Sequence, residues 1–231
     1  MNFVTANNKI IRSSVPDTRE RGVELPHQDL ALLGTLRETY PVLEAHGIDE
    51  CSDALPEDLD ILANVAVAHV YACVVTDRQA IGTSDVGSCV SVCGRGNDAE
   101  GRTVLGLCHA HSMVPPALVY ARLGREMAAL GVRDAHYFLA GGVISRDPAM
   151  SGMDAAVNLL KAGGERVVAG RLGLSESGFQ DGSSSRDDLL PTTGRPESIE
   201  VVLSANHVYF RREGAGLEPW CAKKAERGRP L

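Results

Sequence analysis

The chain reads as an α+β protein, with mixed β-sheets stacked like a sandwich and covered by helices. Three observations predict this. Short Val-, Ala- and Ile-rich segments bounded by Gly, Asn, Asp and Pro recur from residue 65 to residue 212. Two helical patterns, over residues 116–130 and 151–162, interrupt them. Aromatic residues make up 4% of the chain, so aliphatic side chains must fill the space those layers enclose.

The elements follow in order. Residues 1–26 are polar, lack periodicity and hold no acid before Asp17, so they are expected to be disordered. An ordinary frayed terminus and an uncleaved secretion leader of the type III kind both fit that stretch. Leu30, Leu33, Leu36 and Leu43 give a helix over residues 27–45, bent or ended by Pro41. Glu57, Asp58 and Asp60 after Pro56 mark the first turn of a short helix over 56–62. Residues 27–64 thus form a helical extension.

Strands are expected over 65–75, 80–83, 90–93 and 103–113, with Gly94-Arg95-Gly96-Asn97-Asp98 ending the third and Val114-Pro115-Pro116 the fourth. Pro116 opens the next helix and Gly131 stops it. A strand over 134–140 closes on Gly141-Gly142, and a helix over 151–162 closes on Gly163-Gly164. After a strand at 166–169, the Ser/Gly/Asp-rich stretch 175–195 is too long for a tight connection. A hairpin over 199–203 and 207–211 turns at Ser204-Ala205-Asn206. One catalytic domain is expected over 65–212, followed by an irregular tail over 213–231.

Composition narrows the function. Lys and Arg number 23 against 30 Asp and Glu, a net charge of −7. Proteins that track phosphates or anionic membranes need basic surface, so a nucleic-acid partner is not expected. No apolar run reaches the roughly 18 residues of a membrane span, and no charged n-region followed by an apolar h-region opens the chain, so Sec export is not expected. The six cysteines sit in a chain large enough to bury a core without disulfides, so they read as reduced, mostly buried thiols. A soluble monomer is expected.

Two short runs carry chemistry. In Thr83-Ser84-Asp85-Val86-Gly87-Ser88-Cys89, a thiol follows Gly-Ser in a loop between strands. Gly87 permits a sharp turn, and backbone N–H groups in such a loop can face a developing oxyanion. The bland alternative is a buried cysteine at a strand start. In Leu107-Cys108-His109-Ala110-His111, alternation puts both histidines on one face and Cys108 on the other. A nucleophilic thiol needs such an imidazole to take its proton. Two partly exposed histidines at a strand edge are the plainer reading. Cys89, Cys93, Cys108, His109 and His111 are also zinc-type donors, but Cys-x3-Cys followed by Cys-His-x-His is no familiar knuckle.

The run from Ala66 to Pro115 resembles the catalytic half of CheD, the chemoreceptor glutamine deamidase family. The likeness rests on Thr83 six residues before Cys89, on Gly87-Ser88-Cys89 leading into Val90-Ser91-Val92, and on His111-Ser112-Met113-Val114-Pro115. The helix near Tyr120, Gly131, Ala140-Gly141-Gly142 and Ser198-Ile199-Glu200 fall in the same order. The resemblance spans roughly the last two-thirds of the chain. It implies a CheD-like deamidase fold, shared with deamidase toxins such as cytotoxic necrotising factor and the Burkholderia lethal factor, and with HopAF/XopAF-type effectors. It implies Cys89 as nucleophile, His111 as general base and Thr83 as the residue that positions the histidine. His109 is the alternative base if the strand register differs, and Ser88 and Cys89 supply oxyanion N–H groups. No cofactor and no metal are implied; the partner is a protein carrying a target glutamine.

The chain departs from chemotaxis members in three places. Asp85 replaces an apolar loop residue; it either orients His111 or serves the turn, and the turn role is favoured. Ser151-Gly152-Met153-Asp154 replaces the usual Gly-x-Arg-Asn helix entry. The segments before residue 65 and over 175–195 are longer. Arg195 either contacts substrate or is a solvated loop charge, and the latter is favoured. These additions favour an effector secreted into a host cell over a chemotaxis deamidase of the bacterial cytoplasm. A Cys–His protease and a catalytically inactive interaction module are the remaining alternatives.

Overall fold

A computed structural model describes residues 2–4, 10–12, 25–51, 65–67, 72–76, 80–111, 113–144, 152–173, 198–213 and 229–230. The expected helix over 56–62 and the loop over 175–195, with Arg195, lie outside them.

The architecture is α+β, in three layers. In chain order the elements are β1 (Asn2–Val4), β2 (Ile10–Arg12), α1 (Leu25–Thr39), β3 (Ile48–Glu50), β4 (Val65–Val67), β5 (Ala72–Thr76) and β6 (Ala80–Val86). There follow β7 (Val90–Asn97), β8 (Thr103–Ala110), α2 (Pro116–Ala129), β9 (His136–Gly141), α3 (Met153–Gly163) and β10 (Val167–Leu172). The chain closes with β11 (Ile199–Ser204), β12 (Val208–Arg212) and β13 (Arg229–Pro230). One mixed sheet has six strands in the order β10-β9-β7-β8-β5-β13, and a second has five in the order β3-β12-β11-β6-β4. β1 and β2 pair separately as an antiparallel ribbon.

Two apolar clusters hold the layers. On one face of the six-stranded sheet, Val90, Val92, Val104, Cys108 and Leu139 pack against Val119, Leu123 and Met127 of α2, the buried side of α3, and Leu33 and Leu36 of α1. On its other face, Cys93, Leu105, Leu107, Phe138 and Ala140 meet Ile81, Val201, Leu203, Val208 and Phe210 of the five-stranded sheet. β7, β8 and β9 divide their residues between the two clusters with a period of two. At one end of the sandwich the Arg95 guanidinium lies 4.7 Å from the Phe138 ring centre and donates to the Ala205 carbonyl at 2.9 Å. Glu200 and Arg211, directly opposite on β11 and β12, form a buried ion pair at 2.7 Å.

Several expected boundaries change. Pro41 ends α1 as expected, but a 3-10 turn over Pro41–Leu43 and strand β3 follow where helix was expected. The expected strand over 65–75 is two strands in different sheets, because β4 pairs with β6 and β5 with β8. β7 continues through Gly94 and Gly96, which were expected to end it. Gly94 and Gly106 face each other across β7 and β8, and a Cβ on Gly106 would stand 2.6 Å from Leu123 and 3.3 Å from Met127. The glycines therefore leave the hollow that seats α2. In the stretch expected to be a disordered leader, residues 2–4 and 10–12 pair as strands; Val4, Ile10 and Ile11 favour extended backbone. The tail, expected to be irregular, adds β13 to the edge of β5. Among the described residues no helix is long and apolar enough to cross a membrane.

Gly106→Val should cost about 1–3 kcal/mol by overpacking against α2. Gly34, exposed on α1 with nothing within 4 Å of an added Cβ, gives the control: Gly34→Ala should gain about 0.5–1 kcal/mol. Urea midpoints at constant slope measure both, and a neutral Gly106→Val would contradict the seating of α2.

Candidate active site

Cys89 sits where the chain leaves one sheet for the other, between the end of β6 and the start of β7. A bulge shapes the approach. Val201 pairs with Thr83 and Ile199 with Val86, so β6 spends three steps where β11 spends two. Asp85 absorbs the extra residue with φ 58, the sole positive φ outside glycine among the described residues. Asp tolerates this left-handed conformation better than most residues. The bulge reverses the parity of β6: Ile81, Thr83 and Val86 all face the sandwich, while Asp85 is exposed.

That geometry gives Asp85 the turn role. Its carbonyl accepts the Gly87 N–H at 3.1 Å, and its own N–H donates to Glu213 Oε1 at 2.7 Å. The Ser198 hydroxyl donates to Glu213 Oε2. Burial raises the Glu213 carboxyl, against the Asp85 and Ser198 hydrogen bonds; the charges of Asp85 and Glu200 raise it further. Glu213 thus ties the end of β12 to the bulge. No sequence signal marked it, because only the pairing of β11 with β6 brings the two together.

The hydrogen bond expected between Thr83 and a histidine falls on His109. Thr83 Oγ1 and His109 Nδ1 are 2.8 Å apart, joining the sheets through a wholly buried contact. Ser84 O lies 3.5 Å from the same hydroxyl. With Nδ1 turned to Thr83, the other ring nitrogen of His109, Nε2, is also buried. Ser91 stands directly opposite His109 on β7, so Cys89 and Ser91 share the inter-sheet side with it. Ser91 Oγ is 3.4 Å from Cys93 Sγ. Alternation from Cys89 could have found Ser91.

His111 lies past the end of β8, half-buried, and its Nδ1 accepts the Met113 N–H at 3.2 Å. A neutral His111 in that arrangement carries its proton on Nε2 and presents no lone pair there. Thr83 thus pairs with His109, the alternative base, while His111 meets the Met113 N–H. The reason is the inter-sheet register: Leu105, Leu107 and His109 occupy consecutive inward positions, and His109 is the one over Thr83.

Cys89 is 6% exposed. Burial pushes its thiol up to about 11, against the hydrogen bond from Ser88. Burial pushes Cys93 up to about 12, with smaller opposing effects from Ser91 and Arg95. Cys108 is buried on the helix side and Cys51 is half-buried, both free thiols; the Cys73 side chain and Cys221 lie outside the described residues. Cys108 and His109 point to opposite faces, and among the described residues no three His, Cys, Asp or Glu side chains converge as metal ligands.

No family model and no curated protein matches the chain. The chemistry is therefore read from the site. The inter-sheet side thus holds a buried thiol and a buried imidazole hydrogen-bonded at one nitrogen to a hydroxyl, residue types that acyl-transfer chemistry uses.

The raised thiol sets a pH dependence. Below its ordinary value of 9.0 the thiol is neutral folded or unfolded; between 9.0 and about 11 the unfolded form alone releases the proton. Stability contributed by the buried neutral thiol is thus intact at neutral pH and lost as pH rises through that window. Alkaline urea titrations of wild type and Cys89→Ala should diverge there, with the wild type losing more. Iodoacetamide labelling of Cys89, read by peptide mass, should climb with pH across the same range; a rate already maximal near neutrality would refute the neutral resting thiol.

Proposed function

We propose that the chain is a protein-glutamine deamidase in which Cys89 is the nucleophile, His109 the general acid–base and Thr83 its positioning residue. The observation that carries the reading is the buried 2.8 Å contact between Thr83 and His109, on the inter-sheet side that Cys89 also occupies. It supplies the oriented imidazole a thiol needs, within the Thr-Cys-His pattern that resembles the CheD family.

The chemistry follows from the atoms. Cys89 Sγ attacks the carboxamide carbon as its proton passes to His109 Nε2. Loop N–H groups hold the oxyanion. The imidazolium returns the proton to the departing nitrogen, because an amide anion cannot leave at neutral pH, and ammonia is released. Water, deprotonated by the same imidazole, then hydrolyses the thioester to give Glu and the free thiol. The partner gains one negative charge. An effector secreted into a host cell, acting on a host protein, is the setting we attach to this activity, supported by the polar leader and the acidic composition.

A buried thiol held neutral also suits an interaction module with an inactive site, and this second reading rests on the Cys89 burial alone.

Incubation with candidate partners should release ammonia and convert one glutamine to glutamate, seen by intact mass and fragment mapping. Cys89→Ala should abolish this. His109→Gln should lower the rate by about 10²–10⁴-fold, and His111→Gln by much less. Thr83→Val should fall between them, with Thr83→Ser close to wild type. Ammonia release that survives Cys89→Ala sinks the assignment, and a larger loss in His111→Gln reverses the roles of the histidines.

A further inference from the structure

The Cys89 loop is packed against three glycines that leave no room for a side chain. A Cβ on Gly152 would lie 2.5 Å from Gly142 Cα and 2.8 Å from Ser88 O. One on Gly141 would lie 2.8 Å from Cys89 O, and one on Gly142 3.2 Å from Gly152 O. Hydrogen bonds run through the same contact. Gly142 N–H donates to Cys89 O at 2.9 Å, Val143 N–H to Gly87 O at 3.1 Å, and Gly152 N–H to Val143 O at 2.9 Å.

These contacts fix how the loop peptides face. Every described peptide is trans, so each N–H points opposite to the carbonyl of its own peptide unit. The Gly87 carbonyl is held toward Val143, which turns the Ser88 N–H away from β9, toward the side where β8 has ended. The Ser88 carbonyl lies against Gly152, which turns the Cys89 N–H away from α3. Among the described residues neither N–H is donated to a protein acceptor. Two backbone donors are thus left beside the thiol.

We infer that Gly152, with Gly142 beneath it, is a positioning residue that aims the Ser88 and Cys89 N–H groups at the oxyanion formed when Cys89 attacks an acyl carbon. The inference rests on Cys89 being an acyl-transfer nucleophile and does not depend on glutamine being the acyl donor. Gly141 and Gly142 have positive φ, so side chains there would strain the backbone as well as crowd the loop. Gly152 has φ −91 and ψ 3, open to alanine. Gly152→Ala therefore tests the packing alone.

Two small reagents separate aim from reactivity. With 4-nitrophenyl acetate the Cys89 sulfur adds to the ester carbonyl, an oxyanion forms, 4-nitrophenolate leaves and an acetyl thioester remains. With iodoacetamide the same sulfur displaces iodide and no oxyanion forms. The ratio of the two rates at Cys89, each read by peptide mass, cancels accessibility and thiolate fraction and reports the donors.

In Gly152→Ala this ratio should fall about tenfold or more, short of the roughly 10²–10³ for outright loss of a donor, because the donors are re-aimed and not removed. Gly34→Ala should keep the wild-type ratio. An unchanged ratio in folded Gly152→Ala overturns the inference. Should that variant fail to fold, wild type compared with glutathione decides: a ratio about tenfold or more above the free thiol supports the donors, and an equal ratio overturns them. No glutamine enters the assay, so a failed deamidase reading and a failed donor reading give separate results.

Discussion

The chain must pass from the five-stranded to the six-stranded sheet between Val86 and Val90, and this crossing governs the site. Stacked sheets lie about 10 Å apart, and four chain steps reach at most about 14 Å. Gly87, Ser88 and Cys89 therefore have little slack. The Gly87 and Cys89 carbonyls accept the Val143 and Gly142 N–H groups, and the exit of the loop is fixed by the pairing of Val90 with Ala110 and Gly141. The thiol at this point belongs to the inter-sheet cluster and is shielded from solvent. Its position is a consequence of sheet stacking, and stacking in turn depends on the apolar side chains far from the loop.

A second constraint lies inside the sandwich. Beside Ser91, Thr83 and His109 place two polar groups in a layer filled mainly by Ile81, Leu105, Leu107, Phe138 and Val201. Burying a hydroxyl or an imidazole without a partner costs several times what an ordinary hydrogen bond returns. The two groups satisfy each other, and that mutual dependence selects one rotamer of the ring. The bulge at Asp85 makes the match possible. It lets Thr83 and Val86 both face inward, so the strand can present a hydroxyl to His109 and still close the sandwich with an aliphatic residue before the loop.

Much of this layout is legible in the sequence where local chemistry decides it. Pro116 and Gly131 bound α2 closely, the Ser204-Ala205-Asn206 turn places the last hairpin, and Gly-Ser-Cys marks the loop. Legibility fails where a residue's role is set by a distant partner. Gly94 and Gly96 look like strand breakers until α2 and Val132 occupy the space beside them. The run over 65–75 looks like one strand because nothing local says that its halves join different sheets. The choice between His109 and His111 turns on which inward position of β8 lies over Thr83, and register across a sandwich leaves no trace in spacing along one strand. Met and Pro after His111 are a strong pattern, but a pattern fixes the order of residues and not the facing side chain.

Burial also bears on how such a site would store its reactivity. An imidazolium–thiolate pair gains from attraction, but each ion must first leave water, and in a buried site that loss can exceed the gain. The thiol pushed up to about 11 by burial is neutral at rest. Charge then separates only as sulfur meets the acyl carbon, when the oxyanion and the imidazolium form together and lie close enough to stabilise each other. Backbone N–H dipoles fixed by the glycine packing would need no reorganisation at that moment. A site of this kind stays inert toward surrounding electrophiles. In the proposed reaction it attacks a carbonyl group that fits the loop, and selectivity would then follow from the packing that fixes the donors.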